Sequence, residues 1–182
     1  SGCAPDEVSH GLRAEMELWR ESTYSLGVGP YGLAAALARR GHSVEVIVSH
    51  DGPVVGLTRA HAASPAARRA IHRQHVDEAR ELGVRDCIGP CGLADLRAAL
   101  ERGDSVIVLV DLEDLNGEQT PHWIYVWGIV GEYALIHDPW NDEQFGETWV
   151  ETWVEAITLE QLWESAQWEE EKSARAFIVV RR

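Results

Sequence analysis

Two stretches carry side chains that could act together: Pro121-His122-Trp123-Ile124-Tyr125-Val126-Trp127-Gly128 and Ile136-His137-Asp138-Pro139-Trp140. A histidine opens an apolar run, Gly131-Glu132 makes a turn, and an Asp-Pro closes the returning run. At ~3.4 Å per strand residue, two runs joined by a two-residue turn bring their outer ends back together. Eight residues lie between His122 and Gly131, and five lie between Glu132 and Asp138. A bulge or a bent strand end has to absorb that mismatch. An aspartate so placed accepts a hydrogen bond from one ring nitrogen. The other nitrogen can then take a proton from a thiol. Singly, each residue has a plain structural reading, as a strand-end histidine and an Asp-Pro turn opener. Their relation is what points to chemistry.

The nucleophile is less evident. The chain has three cysteines. A thiol at a helix N-terminus is favoured as thiolate, because free N–H groups and the helix dipole lower its pKa. Cys3 lies two residues from the start of the sequence, where chains commonly fray. Cys87 and Cys91, in Asp86-Cys87-Ile88-Gly89-Pro90-Cys91-Gly92, precede another helix. A Cys-x3-Cys pair can bind metal, but no second Cys/His pair has zinc-finger spacing. A structural role for Cys87 and Cys91 is the expectation. His72 and His75 share a helix face and are expected to be solvated. Gly27 to Gly32 lacks the lysine of a phosphate-binding loop and any preceding strand, so it reads as a helix break.

The elements that must position these residues follow from periodicity. Asp6 to Glu21 and Tyr31 to Arg40 read as helices, the second stopped by Gly41. Ser43 to Ser49 alternates as a strand, with Asp51-Gly52-Pro53 as its exit turn. Ser64-Pro65 caps a long helix running to Leu82. Gly92 to Glu101 is a further helix, and Ser105 to Val110 is a buried strand. Asp111 to Thr120 is a polar loop. His122 to Val130 and Tyr133 to His137 form the hairpin. The sequence Thr148-Trp149-Val150-Glu151 recurs as Thr152-Trp153-Val154-Glu155, too few copies for a repeat fold. Thr158 and Gln161 form a capping box for a helix through Trp168, and Ala174 to Val180 is a last strand. Helices first and a mainly antiparallel sheet after them predict an α+β architecture in a single domain over residues 1–182.

Composition narrows the function. Apolar residues make up 45% of 182 positions, enough for a substantial core. A net charge of −14 argues against nucleic acid as a partner. No apolar run reaches the ~18 residues of a membrane span, and no signal peptide opens the chain. An odd cysteine count does not suggest a disulfide framework, so a cytoplasmic location is expected. Asp142 to Glu171 contains no Lys or Arg and includes Trp149, Trp153, Trp163 and Trp168. Such a surface could hold a basic peptide through charge and cation–π contact, although tryptophans are more often core.

His122-Trp123 followed by an apolar strand and His137-Asp138-Pro139 resembles the second half of bacteriocin-processing-type cysteine peptidases, which are papain-like. Glu17-Leu18-Trp19-Arg20-Glu21, Gly29-Pro30-Tyr31-Gly32-Leu33-Ala34 and Arg39-Arg40-Gly41-His42-Ser43-Val44-Glu45-Val46 resemble an uncharacterised bacterial branch of that family. The similarity runs from about Leu18 to Arg182. It implies N-terminal helices packed on an antiparallel sheet and a Cys-His-Asp site, with Cys3 as nucleophile, His122 as general base and Asp138 as its orienting partner. It implies cleavage of a peptide or isopeptide bond, without metal or organic cofactor, in a peptide or protein substrate. The family's nucleophile normally stands in Cys-Gly-Pro with a glutamine just upstream. Here the residues are Cys3-Ala4-Pro5, preceded by Ser1-Gly2. Three readings fit: a shortened first helix with Cys3 as nucleophile, a sequence that starts after the family's N-terminal segment with Cys3 incidental, or a scaffold that binds a peptide or partner without cutting it. Oligomeric state is not legible.

Overall fold

Strand alternation and helix-end signals set most elements. The computed structural model describes residues 5–24, 27–54, 64–113, 117, 120–139, 152, 154–168 and 174–181. Helix α1 (Pro5–Ser22) leads through a short hairpin, β1 (Thr23–Tyr24) and β2 (Gly27–Val28), into α2 (Pro30–Arg39), which has proline in its first turn. Then come β3 (Ser43–Val48), α3 (Pro65–Glu81), β4 (Arg85–Ile88), α4 (Leu93–Glu101) and β5 (Ser105–Asp111). The chain continues with β6 (Pro121–Val130), β7 (Tyr133–His137), β8 (Glu155–Thr158), α5 (Leu159–Ser165) and β9 (Ala176–Arg181). The Ser64 hydroxyl accepts from the Ala67 N–H at the start of α3, and Thr158 with Gln161 forms the capping box of α5.

The architecture is α+β, with one sheet of seven strands in the order β4-β3-β9-β5-β6-β7-β8. The sheet is mixed, which corrects the expectation of an antiparallel one. β3 and β4 run parallel, joined by a crossover that includes α3, and every other strand pair among the described residues is antiparallel. Sequence periodicity misses β4 because Arg85-Asp86-Cys87-Ile88 is a short edge strand with three of its four side chains exposed. It has no buried face to produce an alternating pattern.

Both faces of the sheet are covered. On the first face Val44, Val46, Val48, Leu109, Ala176 and Ile178 meet the small residues Ala34 and Ala35 of α2 and Ala79 of α3. On the second, Val106, Val108, Val110, Ile124, Val126, Ala134, Ile136, Phe177 and Val179 meet Leu96, Leu100, Leu159 and Leu162 of α4 and α5. The tryptophans of the acidic stretch divide. Trp168 is core, and the ring of Trp163 is covered by the Arg175 guanidinium 3.8 Å from its centroid. Arg175 also donates to the Trp163 and Ala166 carbonyls at the end of α5. Trp149 and Trp153 lie outside the described residues.

The face of α3 carrying His72 and His75 is packed, not solvated. Arg68, His72 and Ala79 are buried on α3, which packs on α2, and the His72 ring meets Tyr31 edge-on at 5.5 Å. Sequence reading missed this inner face because polar residues occupy it. Burial lowers the pKa of both imidazoles; for His72 the Asp51 charge works against the fall, while His75, His50 and Arg73 add to it. The unfolded chain, with imidazole pKa values near ~6.5, therefore takes up protons first as pH falls. Stability from this pair is fully present above that value and is lost as pH falls through the depressed folded values. Thermal melts are expected to give a lower Tm at pH 5.5 than at pH 7.5, and a flatter dependence in His72→Gln. An identical slope in the variant would mean that His72 contributes nothing to it.

Candidate active site

The central element is the β6–β7 hairpin. Val130 pairs with Tyr133 around Gly131-Glu132, and Gly131 takes a φ of 63° that the tight turn requires. Pairing then proceeds through Ile129↔Ala134 and Gly128↔Leu135 before the register shifts, resuming as Val126↔Ile136 and Tyr125↔His137. Trp127 is the extra residue of a bulge.

That single residue decides which side chains share a face. Continued without the bulge, the register would set Asp138 opposite Tyr125, on the side of the strand away from Ile124. With it, the next step sets Asp138 beside Ile124. Ile124 and Val126 point into the second core, and His122 stands two residues before Ile124 on the same side of the pleat. His122 and Asp138 are thus diagonal neighbours within side-chain reach. The His122 Nε2 atom and the Asp138 Oδ1 atom are 2.6 Å apart, a short hydrogen bond between ring and carboxyl group. Their side chains are 14% and 20% exposed, so the pair is partly shielded but reachable from solvent.

The flanks hold both residues in place. His122 pairs with Val110 of β5, and the neighbouring Trp123 points to the other face, where its indole N–H donates to the Val28 carbonyl at 2.9 Å. On the other strand the Asp138 N–H donates to the Thr152 carbonyl at 3.1 Å. His137 turns away from Asp138, as alternation predicts, and its Nδ1 lies 3.0 Å from the same Thr152 carbonyl. The buried Thr152 thus fixes the backbone on which the carboxylate sits. Sequence reading missed this role because it belongs to a main-chain oxygen, which any residue supplies.

Cys3 lies outside the described residues. Cys87 is on β4, four strand steps from β6, or ~19 Å at ~4.8 Å per step. Among the described residues no group of three or more His, Cys, Asp or Glu side chains is arranged to hold a metal ion. None of the described helices is long and apolar enough to cross a membrane.

An imidazole held by a carboxylate through Nε2 has its tautomer and ring angle set, leaving Nδ1 as the atom that would exchange a proton with a nucleophile. No match was found among curated proteins. A family model described as "Peptidase_C39 like family" matches residues 3–181, a span that includes Cys3, His122 and Asp138. The chain belongs to the Peptidase_C39 like family.

Proposed function

We propose that this protein is a thiol-dependent peptidase of papain-like build, cleaving a peptide or isopeptide bond through a covalent acyl-enzyme. The observation that carries the reading is the 2.6 Å contact between His122 Nε2 and Asp138 Oδ1, set inside a chain of the Peptidase_C39 like family. In this mechanism Cys3 is the nucleophile. Its thiol proton passes to His122, and the thiolate attacks the scissile carbonyl. As the tetrahedral intermediate collapses, the C–N bond breaks and the imidazolium gives its proton to the leaving amine. Water, deprotonated by His122, then hydrolyses the thioester and restores the thiol. Asp138 stabilises the imidazolium and keeps the ring in one tautomer. The net charge of −14 favours substrates with a basic segment.

Alkylation tests the nucleophile without a known substrate. At pH 6 an ordinary thiol is well under ~1% thiolate. A histidine-paired thiol is largely ionised but less nucleophilic per thiolate, so the net gain is about tenfold. Iodoacetamide is expected to label Cys3 about tenfold faster than it labels a free peptide cysteine, and His122→Ala is expected to abolish the excess. Cys3 labelled at the free-thiol rate would overturn its assignment and favour a scaffold that binds without cutting.

A further inference from the structure

We propose that Cys87 and Cys91 form a redox-responsive pair that closes reversibly into an intrachain disulfide, at a site separate from the His122–Asp138 pair. Cys87 is the register partner of Ile47, whose side chain packs against the second core. Parallel partners share a face, so the Cys87 thiol lies on that face too. The preceding Asp86 points the other way and meets the Tyr31 hydroxyl and Arg80. Cys91 also packs against the second core. Both sulfurs are therefore on one side of the sheet, at the end of β3, with three residues between them.

The intervening chain turns. The chain bends at Gly89, which has a φ of 148°, and its N–H still donates to the Val48 carbonyl at 2.9 Å. Pro90 follows. A disulfide needs a Cα separation of about 4.4–6.8 Å, which a five-residue stretch reaches only by turning. The end of β3 is pinned as well: the Ser49 N–H donates to the Arg175 carbonyl and the Arg175 N–H to the Ser49 hydroxyl. The Arg175 guanidinium is the cation nearest in effect to Cys91. Burial raises the Cys91 pKa, and the Arg175 charge works against that rise.

Exposure sets the order of events, because Cys87 is exposed and Cys91 is half-buried. A hydroperoxide transfers one oxygen to the Cys87 thiolate, giving a sulfenic acid and, from hydrogen peroxide, hydroxide that is protonated to water. The Cys91 thiolate attacks the Cys87 sulfur, the S–S bond forms, and hydroxide leaves to become the second water. Two thiols and one peroxide yield one disulfide and two waters. A dithiol reductant reverses the change.

Peptide mapping tests this. The reduced full chain is treated with hydrogen peroxide, blocked with iodoacetamide and digested with trypsin. One peptide, Asp86 to Arg97, carries both cysteines, since no Lys or Arg lies between Arg85 and Arg97. The expected product is that peptide two hydrogens lighter and unalkylated, converted back to the dithiol by reductant and absent in Cys87→Ser. It should form faster in the folded protein than in denaturant. Equal rates would mean the fold does not hold the pair together. Cys87 carried to the sulfinic acid while Cys91 remains alkylatable, or either cysteine bridged to Cys3 or to a second chain, would overturn the proposal.

Discussion

Asp138→Asn is expected to reduce peptide turnover by roughly 10²- to 10⁴-fold, with the fold intact. The amide keeps the size and the oxygen of the carboxylate, so the β7 end and its Thr152 bond need not move. The negative charge is what is lost. The imidazolium that forms as the thiol ionises then has no counter-charge at 2.6 Å, and the Nδ2 group can turn to the ring and impose the wrong tautomer. The fall should appear in kcat and kcat/KM alike, because the interaction strengthens only as the histidine becomes charged. Stability should change little. The amide keeps the shape of the carboxyl and can still hydrogen-bond the ring, and one such bond contributes about 1 kcal/mol. Initial rates on a reporter peptide, read beside a circular-dichroism melt, check both halves. Unchanged turnover would remove Asp138 from the site, and lost ellipticity would reassign it to folding.

The reach of the sequence stopped at particular residues. The His122–Asp138 contact was legible because the hairpin turn, the two apolar runs and their closing polar residues are all written in one stretch. Its face was not. The choice between a paired and an opposed arrangement rests on Trp127, and nothing in Val126-Trp127-Gly128 marks the middle residue as the bulged one. β3 and β5 were readable from buried valines at alternate positions, whereas β4, with a solvent-facing edge and four residues, had no such pattern. The inner face of α3 was unreadable for a related reason. Arg68 and His72 are buried, His72 against Tyr31 of α2, and a hydrophobic period cannot register a polar residue that tertiary contacts cover. Caps were the most dependable signals, because Ser64 and Thr158–Gln161 act on their own helices and need no distant partner.

Gly32→Ala should destabilise the protein by about 2 kcal/mol, within the range of overpacking in tight interiors. Intrinsic helix propensity predicts the opposite sign, since alanine in place of glycine within a helix is worth up to about 1 kcal/mol. Space decides the contest. A Cβ at Gly32 would lie 2.6 Å from the Ser22 carbonyl oxygen and 2.9 Å from His75 Nδ1. The histidine ring can rotate away, but the Ser22 oxygen belongs to the last turn of α1 and Ser22 is 1% exposed. Relief therefore requires α1 to move off α2. For a chain of this size the loss corresponds to a Tm lower by roughly 4–8 °C. A cycle with His75→Ala separates the two contacts. The double variant should recover only part of the loss, because the backbone contact remains. Ser22 joins directly to the β1–β2 hairpin, whose Val28 carbonyl holds the indole of Trp123 beside His122. Displacement of α1 is thus transmitted to the strand that carries the histidine, and the Cys3 alkylation rate should fall along with Tm. A Tm equal to or above the parent's would show that α1 is not seated against Gly32.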